Sequence, residues 1–430
     1  MKDSPLIPIP LMPKEYRSAA LHYNLVKAVV NALQMIFESP GGGKMQYADA
    51  VVRKLLKSNP KWGANDRKFL AQTVYEMVRW WRKLWYISGK DPSPDEQSLW
   101  TVAGIHLVLA GFNLPPWKEF LPVAQIQVNA RLEEADRIRA IRESIPDWLD
   151  ERGWQELGAQ WERELHILNT EAPVVIRVNT LKTHLDALQE KLNMENTGTS
   201  RLPSGPDALQ LDERKNIFSS ESFRQGLFEV QDTSSQEVAY FMNVNPGMRV
   251  IDACAGGGGK ALHIAALMHN KGRIIALDIH EWKLKELRKR AARAGADIIE
   301  TRTVTTDKVI KRLEKSADRL LLDVPCSGLG TLRRNPDVKW KLTAEVLERI
   351  GREQYGILTA YCSMVKPGGI VIYSTCSILP SENEGVIDRF TREYGNFRKV
   401  GERKILPSES GADGFYMVAL ERLDSGKSVQ

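Results

Sequence analysis

Two cysteines stand directly after apolar runs that end in a polar residue. The segment LLDVPCSG begins at Leu321 and contains Cys326, and the segment VIYSTCS begins at Val371 and contains Cys376. The thiolate is the nucleophilic form of cysteine, and it is populated at neutral pH when the surroundings lower the pKa of the thiol. Either cysteine alone has the sequence context of an inert buried thiol. Together, and next to a cofactor pocket, they indicate a reactive centre.

Both thiols fall where strands of a parallel sheet would end. Asp323, Pro325 and Cys326 close the apolar run DRLLLDVP, and Cys376 closes GGIVIYSTCS, 50 residues after Cys326. That separation fits one strand–helix–strand unit. If the two strands are adjacent and parallel, their carboxyl ends meet at one rim, which would bring the two sulfur atoms into one cleft beside a bound cofactor.

A glycine-rich loop joins another strand to the helix that follows it. The stretch DACAGGGGK, from Asp252 to Lys260, lets the backbone turn sharply and approach a ligand closely. The helix beyond the loop offers free N–H groups. The loop residues predicted to bind a cofactor are Cys254, Ala255, Gly256, Gly257, Gly258, Gly259 and Lys260.

Acidic residues at the ends of the neighbouring strands extend this predicted pocket. Asp278 ends the second strand, where a carboxylate can accept both hydroxyls of a ribose. Asp307 stands where a third strand should end and could bind an adenine amino group, although a solvated helix cap is an equally good interpretation. Asp323 at the fourth strand would also face the pocket. The pattern indicates a nucleoside cofactor, either a nicotinamide dinucleotide or S-adenosylmethionine.

Three stretches of the chain position these residues and differ in periodicity. Residues 1–145 repeat apolar side chains at helical steps and predict a helical bundle, in which Asn65 or Asp66 is expected to cap the helix NDRKFLAQTVYEMVRWWRKLWYI. Residues 146–236 contain APVVIRVNTLKTHLDALQEKL and GLFEVQD and predict a small α/β subdomain. Residues 237–430 alternate strand and helix, which predicts a parallel sheet covered on both faces, with FYMVALER as an antiparallel edge strand.

The composition is that of a globular protein. The 430 residues are 43% hydrophobic and 27% charged, and no apolar run reaches the roughly 18 residues of a membrane span. The N-terminus has too little apolar length for a signal peptide, so the expected compartment is the cytoplasm. The four cysteines form no CxxC pair, so neither a zinc site nor a disulfide framework is expected. The formal charge of +6 is compatible with a polyanionic partner.

Three motifs together resemble a known family. DACAGGGGK, LLDVPCSGLGTLRRNPDVKW and YSTCSILPSENE are similar to motifs of the Sun/Fmu/RsmB family of RNA (cytosine-5)-methyltransferases. The resemblance continues back through VQDTSSQ at Val230 and RVNTLKT at Arg177. One departure is Gly257, where the family usually has a proline. The resemblance implies an α/β fold: a Rossmann-like S-adenosylmethionine-dependent methyltransferase domain, a small α/β subdomain, and an N-terminal all-α, RNA-binding domain similar to the antitermination factor NusB.

The resemblance also implies a reaction. C5 of cytosine is a poor nucleophile, and a thiolate that adds to C6 allows C5 to take a methyl group from S-adenosylmethionine. By the family pattern Cys376 is the nucleophile, Cys326 assists release, and Asp323 hydrogen-bonds N3 or the amino group of the base. Lys260 would contact the base or the methionine carboxylate, and a structural role is an equally good interpretation. The residues expected to bind RNA are Arg333, Arg334, Lys339 and Trp340.

The expected partner is RNA, bound by a monomer that needs neither a metal nor a membrane. The helical region looks like that of small-subunit ribosomal RNA enzymes, which favours 16S rRNA. A transfer RNA substrate stays open, as does a non-enzymatic RNA-binding or ribosome-assembly factor that has kept the fold. DNA cytosine-5 methylation would leave the Thr-Cys motif idle. Methylation of an adenine amino group expects Asn or Asp before Pro-Pro and an aromatic residue, which the stretch from Asp323 to Cys326 does not match.

Overall fold

The computed structural model describes Ile9, residues 21–38 and residues 46–424. The chain forms two compact units. The first comprises the described residues up to Thr170 together with Leu332–Ala344, and the second comprises Glu171–Thr331 and the described residues from Glu345 onward. In the described part of the chain no helix is both long enough and apolar enough to cross a membrane.

The first unit is a helical bundle, as its periodicity predicts. Leu33, Leu70, Leu84 and Ile105 are among the fully buried side chains of its core. The helices are α1 (Tyr23–Phe37), α2 (Ala48–Ser58), α3 (Ala64–Arg79), α4 (Trp81–Ser88), α5 (Glu96–Leu109), α6 (Val128–Asp136), α7 (Arg139–Arg142), α8 (Asp147–Leu157) and α9 (Ala159–Leu168), with a 3₁₀ segment at Lys118–Gln125 and a helical turn at Val338–Lys341.

The helix predicted over NDRKFLAQTVYEMVRW begins at Ala64, one residue before this stretch, and is interrupted at Trp80. Its N-cap is Gly63, and the Asp66 carboxylate accepts a hydrogen bond from the Gly63 N–H at 3.1 Å. The prediction that Asn65 or Asp66 is the N-cap is therefore wrong. Asp66 instead stabilises the helix from inside the first turn, where a carboxylate satisfies a free backbone donor and interacts favourably with the helix dipole.

The second unit begins with a small antiparallel sheet. Its strands are β1 (Val175–Val178), β2 (Thr199–Arg201), β3 (Ala208–Leu211) and β4 (Phe228–Val230), in the order β2-β3-β1-β4. Every residue of β1 is buried, which explains its continuous apolar character apart from Arg177. The associated helices are α10 (Leu185–Met194) and α11 (Glu221–Arg224).

A seven-stranded sheet forms the rest of this unit. Its order is β10-β11-β9-β8-β5-β6-β7, and β9, β8, β5, β6 and β7 are parallel. The chain leaves β5 on one side through β6 and β7 and returns on the other side at β8, so the crevice for a ligand lies at the carboxyl end of β5. The strands are β5 (Arg249–Asp252), β6 (Arg273–Asp278), β7 (Ile299–Thr303), β8 (Ala317–Asp323), β9 (Val365–Thr375), β10 (Phe397–Ile405) and β11 (Phe415–Arg422).

Helices cover both faces of this sheet, which confirms the predicted doubly wound α/β fold. The helices are α12 (Thr233–Phe241), α13 (Gly259–Leu267), α14 (Glu281–Ala294), α15 (Asp307–Lys311), α16 (Ala344–Tyr361), α17 (Glu384–Glu393) and α18 (Pro407–Ser410). The strand predicted from FYMVALER is antiparallel, as expected, but it is not at the edge. It lies between β9 and β10, and β10 is the edge strand.

Candidate active site

The two cysteines that follow β8 and β9 lie side by side. The strands are adjacent and parallel, with Asp323 opposite Ser374, so both strands end at the same rim of the sheet. Cys326 Sγ and Cys376 Sγ are 3.2 Å apart, close enough for an S–H···S hydrogen bond. Both residues are half-buried. The sequence-based expectation that the two sulfur atoms share one rim matches this geometry.

Cys326 is surrounded by groups that disfavour its thiolate. The hydrogen bond with Cys376, burial and the nearby Glu382 carboxylate raise the pKa of Cys326 well above its usual value. A thiol with a raised pKa stays protonated at neutral pH. Cys326 therefore keeps its proton, and its S–H can donate to the sulfur of Cys376.

Asp323, at the end of β8, is fixed by two side chains. Lys260 Nζ donates to Asp323 Oδ2 at 2.6 Å, and Ser374 Oγ donates to Asp323 Oδ1 at 2.9 Å. The Lys260 ammonium also lies over the ring of Phe415, 5.2 Å from its centroid. Burial alone would lower the pKa of Lys260, but the Asp323 carboxylate outweighs burial and the pKa is raised. Lys260 is therefore a charged partner of Asp323 at the rim.

The glycine loop is suspended between β6 and β8. The Ala255 N–H donates to Leu277 O at 2.9 Å and the Ala253 N–H donates to Leu321 O at 2.9 Å. Gly256 has a φ of +53°, and a Cβ placed there would meet nothing within 4 Å. The loop thus presents bare backbone to open space, which is what a closely bound ligand requires.

The next glycines of the loop pack against α14. Gly258 has a φ of +82°, and a Cβ at this position would lie 2.4 Å from Leu287 Cγ, so only glycine fits. The Gly257 carbonyl accepts a hydrogen bond from Arg290 at 2.7 Å. Arg290 also pairs with the buried Glu229, so the position at which the family has proline is held here by a side chain from α14.

Asp278 and Asp252 end the two strands next to the loop. Asp278 Oδ2 accepts from the Gly256 N–H at 3.0 Å and Oδ1 accepts from the His280 N–H at 2.8 Å, so each oxygen keeps further capacity to accept. Asp252 is buried, and neither of its carboxylate oxygens has a hydrogen-bond partner among the described residues. Burial, followed by the Asp323 carboxylate, raises the pKa of Asp252 to about 7.

These residues fit the expected cofactor. Asp252, Asp278 and Asp323 stand at the carboxyl ends of three adjacent strands, and the charges of Asp323 and Asp278 contribute to the raised pKa of Asp252. A cationic ligand would relieve this repulsion and offer donors to the unpartnered oxygens of Asp252. S-adenosylmethionine, with its ammonium, its sulfonium and its ribose hydroxyls, has that chemistry.

The remaining predicted cofactor residues occupy less informative places. Cys254 is half-buried in the loop, and burial, with the charge of Asp252, raises the pKa of its thiol, so it is an inert part of the turn. Asp307 is exposed in the first turn of α15, where a carboxylate favours the helix start. A cofactor contact by Asp307 stays a prediction. No group of three His, Cys, Asp or Glu residues that could hold a metal ion occurs in the described ranges.

The segment predicted to bind RNA is largely buried in the helical unit. Lys339 is 2% exposed and its Nζ donates to Asn169 Oδ1 at 3.3 Å. Burial, followed by the charge of Arg79, lowers the pKa of Lys339 well below its usual value. The indole N–H of Trp340 donates to Val78 O at 2.7 Å. Lys339 therefore does not present its ammonium to solvent in this structure, and RNA binding by Lys339 stays a prediction.

Arg79 holds the start of the same segment. Its guanidinium donates to Leu332 O at 3.4 Å and to Arg333 O at 3.0 Å, and the Arg333 side chain is also buried. Arg334 is the predicted RNA-binding cation that stays partly exposed. A contact between Arg334 and RNA remains a prediction. The composition of this segment reflects its packing against helices rather than an open loop.

Sequence reasoning missed three residues of the rim. Asp252 could have been noted as an acidic residue that ends a buried strand directly before a glycine loop. Ser374, which precedes Thr-Cys, carries no such signal, because a serine in a strand is common. Glu382, six residues after Cys376, reads locally as the start of a helix, yet it is buried and touches both cysteine loops.

Comparison with known proteins shows the family to which this chain belongs. Residues 239–421 match the family model described as 16S rRNA methyltransferase RsmB/F, and residues 145–218 match the ferredoxin-like domain model of RsmF/B-like methyltransferases. The chain is 35% identical over 298 residues to the probable ribosomal RNA small subunit methyltransferase B of Synechocystis. These residues are 65% of this chain and 67% of the relative.

Two further comparisons agree with this result. The probable ribosomal RNA small subunit methyltransferase B of Bacillus subtilis is 31% identical over 310 residues, which are 68% of this chain and 69% of the relative. The crystal structure of a methyltransferase homolog protein from Pyrococcus horikoshii superposes with a TM-score of 0.59 and 28% identity, covering 66% of this chain and 98% of that chain.

Proposed function

The chain belongs to the 16S rRNA methyltransferase RsmB/F family and uses S-adenosylmethionine as methyl donor, and we propose that it methylates C5 of a cytosine through a covalent bond between Cys376 and C6. The observation that carries this proposal is the 3.2 Å separation of Cys326 Sγ and Cys376 Sγ at the rim where Asp323 and Lys260 also lie. Two thiols so close together can act on the same pyrimidine ring.

Cys376 is the proposed nucleophile. Its thiolate adds to C6 of the cytosine, the S–C6 bond forms, and electron density moves to C5. When bound, S-adenosylmethionine supplies an electrophilic methyl group that C5 can take. Loss of the C5 proton then restores the C5–C6 double bond and expels the Cys376 sulfur. The S–H of Cys326 is within hydrogen-bond distance of that sulfur and would stabilise it as it leaves.

Asp323 is proposed to orient the base. Lys260 and Ser374 each hold one carboxylate oxygen, so the side chain has a fixed direction. A carboxylate fixed in this way can accept from the amino group of cytosine and so fix the orientation of the ring over the two thiols. Lys260 would act mainly through Asp323, because its ammonium already donates a hydrogen bond to the Asp323 carboxylate.

A test compares three cysteine variants on 16S rRNA with tritiated S-adenosylmethionine. Cys376→Ala is expected to abolish both methyl transfer and the covalent RNA–protein band on a denaturing gel. Cys326→Ala is expected to accumulate that band, because release is slowed. Cys362→Ala is the matched control: Cys362 is buried and its thiol hydrogen-bonds Thr359 O at 3.3 Å rather than a residue of the rim. Full turnover by Cys376→Ala would reject the proposal.

The same assay separates the alternatives. If the enzyme used the order of a DNA cytosine methyltransferase, Cys326→Ala would be the inactive variant and would form no adduct. A non-enzymatic assembly factor would transfer no methyl group in any variant. The names of the relatives favour 16S rRNA over transfer RNA as the substrate, and such an enzyme would work in the cytoplasm. Bisulfite sequencing of RNA from a deletion strain would identify the cytosine.

A further inference from the structure

Glu382 is a buried carboxylate that the mechanism above does not use. It is 1% exposed and ends the 3₁₀ turn Pro380–Glu382. Its Oε1 accepts from the Ser327 N–H at 2.8 Å, and its Oε2 accepts from the hydroxyls of Ser327 and Ser377. Ser327 and Ser377 are the residues that directly follow the two cysteines. One carboxylate therefore joins the loop that contains Pro325 and Cys326, the Pro-Cys loop, to the loop that contains Thr375 and Cys376, the Thr-Cys loop. We call Glu382 with these two serines the Glu382 bridge.

The bridge is itself anchored to the surrounding elements. Gln354, on α16, donates through Nε2 to Glu382 Oε1 and to Pro325 O, both at 3.0 Å. The hydroxyl of Tyr373, on β9, donates to Glu382 O at 2.7 Å. Glu382 thus has hydrogen bonds to both cysteine loops, to a helix and to a strand, which leaves its carboxylate little freedom to move.

A second set of hydrogen bonds also holds the backbone of the Thr-Cys loop in place. Thr375 Oγ1 donates to Asn383 Oδ1 at 2.6 Å, and Asn383 Nδ2 donates to Ser377 O at 3.0 Å. The Gly330 N–H, which belongs to the Pro-Cys loop, donates to Cys376 O at 2.9 Å. The residues on either side of Cys376 are therefore held, while the Cys376 side chain itself stays half-buried at the rim.

The groups that donate to the Glu382 carboxylate are neutral: a backbone N–H, two hydroxyls and an amide. Buried donors that lose their acceptor carry an unfavourable desolvation cost, so the arrangement is stable only when all of them converge on one acceptor. Removing the carboxylate would leave Ser327, Ser377 and Gln354 to find other partners. The two loops would then no longer share a common attachment point.

We propose that Glu382 is a positioning residue that sets the separation of the Cys326 and Cys376 thiols. The catalytic consequence rests on the proposed function, since only a reaction that uses both thiols depends on their distance. The structural consequence does not depend on it. Glu382 makes no hydrogen bond to either sulfur atom, and it acts through the two serines that follow the cysteines.

The test measures thiol proximity directly by oxidation with diamide. Each disulfide formed takes two protons and two electrons from the pair of thiols, and the azo group of diamide is reduced to a hydrazine. Mass spectrometry of unreduced peptides then reports the rate at which Cys326 and Cys376 become joined. In the wild-type protein this rate is expected to be fast because the two sulfur atoms are already in contact.

Two Glu382 variants and a control separate positioning from stability. Glu382→Ala removes the bridge and is expected to slow disulfide formation about tenfold or more. Glu382→Gln keeps an oxygen for the Ser327 N–H and Gln354, and the two hydroxyls can rotate to accept from its amide, so it should restore most of the rate. Val386→Ala removes buried apolar packing on the neighbouring α17 and should lower stability without changing the rate.

Methyl transfer supplies the second measurement. Glu382→Ala is expected to lower kcat by about a hundredfold, as a displacement on the order of 1 Å of a reacting group would, with the KM for the methyl donor unchanged. Should Glu382→Ala fail to fold, the double variant Ser327→Ala, Ser377→Ala removes both hydroxyl donors from the bridge and should show the same slowing. Disulfide formation at the wild-type rate in these variants would overturn the proposal. A dependence on Glu382 in the oxidation assay, with an inactive wild-type enzyme, would reject only the proposed function.

Discussion

The substitution Asp252→Asn tests the electrostatics of the cofactor pocket without any ligand. Asp252 is 1% exposed at the end of β5, and neither carboxylate oxygen has a hydrogen-bond partner among the described residues. Burial and the Asp323 carboxylate raise its pKa from 3.8 to about 7. Asparagine has nearly the same shape but carries no charge, so the variant removes the ionisation and keeps the packing.

The sign follows from the direction of the shift. The folded pKa is above the unfolded pKa, so the native state holds a proton that the unfolded state has lost, and native stability falls as the pH rises from about 4 to about 7. At about 1.4 kcal/mol per pKa unit, a shift of about three units costs wild type roughly 4 kcal/mol above pH 7 and roughly 1.5 kcal/mol at pH 5. Wild type should therefore lose about 2 to 3 kcal/mol relative to Asp252→Asn between pH 5 and pH 8.

Calorimetric unfolding at pH 5 and pH 8 measures this difference. At about 2 to 4 °C per kcal/mol for a unit of this size, the gap in Tm between Asp252→Asn and wild type should widen by roughly 5 to 10 °C in favour of the variant at pH 8. Asp318→Asn is the control, because hydrogen bonds from Lys366 and the Arg249 N–H outweigh burial and lower the pKa of Asp318. Its gap from wild type should stay constant over this pH range, since Asp318 is ionised throughout. Parallel curves for Asp252→Asn and wild type would refute the reasoning.

Two other substitutions test residues that the sequence singled out. Lys339→Met should leave RNA affinity within about twofold of wild type in a filter-binding assay, because a buried lysine makes no phosphate contact; a large loss would return Lys339 to the RNA interface. Because burial lowers the pKa of Lys339, any advantage in Tm of Lys339→Met over wild type should shrink as the pH rises from 7 to 10. Asp278→Asn should weaken S-adenosylmethionine binding by about 10- to 100-fold in calorimetry, the worth of a hydrogen bond to a charged group, and unchanged binding would exclude Asp278 from the pocket.

The methyltransferase core could be predicted because its information is local. The parallel strands β5, β6, β8 and β9 contain short apolar runs, and polar residues mark the points where they end, so Asp278 and Asp323 could be placed at the rim without any long-range information. The 50 residues between Cys326 and Cys376 correspond to one strand–helix–strand unit, and β8 and β9 are indeed adjacent. Right-handed connections between parallel strands leave few other arrangements.

The edge of the sheet could not be predicted in the same way. β10 reads FRKVGERKI, and the residues between its buried ends, Phe397 and Ile405, are mostly exposed. Charged edge strands are common because they discourage pairing with other chains, but their sequence has neither an apolar run nor a clean alternation. Without β10 in the prediction, β11 was assigned to the edge.

The burial of the segment TLRRNPDVKW could not be predicted, because its environment comes from distant parts of the chain. A cluster of cations with a tryptophan is typical of an RNA-binding loop, and nothing within the segment distinguishes that use from burial. The residues that contact it, Arg79, Val78 and Asn169, are between 170 and 262 residues away in sequence from their partners in the segment. Only the folded chain shows that a carbonyl and an amide satisfy Trp340 and Lys339.

The roles of the two thiols illustrate what the structure adds to a family pattern. From sequence alone either cysteine could attack the base, and the assignment of Cys376 rested on resemblance. The surroundings of the pair are not equivalent, because Cys326 has the Glu382 carboxylate nearby, whereas Lys260 lies close enough to Cys376 for a charge on that sulfur to affect the ammonium. A neighbouring anion disfavours a thiolate and a neighbouring cation favours one. The raised pKa of Cys326, caused by its hydrogen bond with Cys376, by burial and by the Glu382 carboxylate, keeps that thiol protonated and so suits the releasing role that the family pattern gives it.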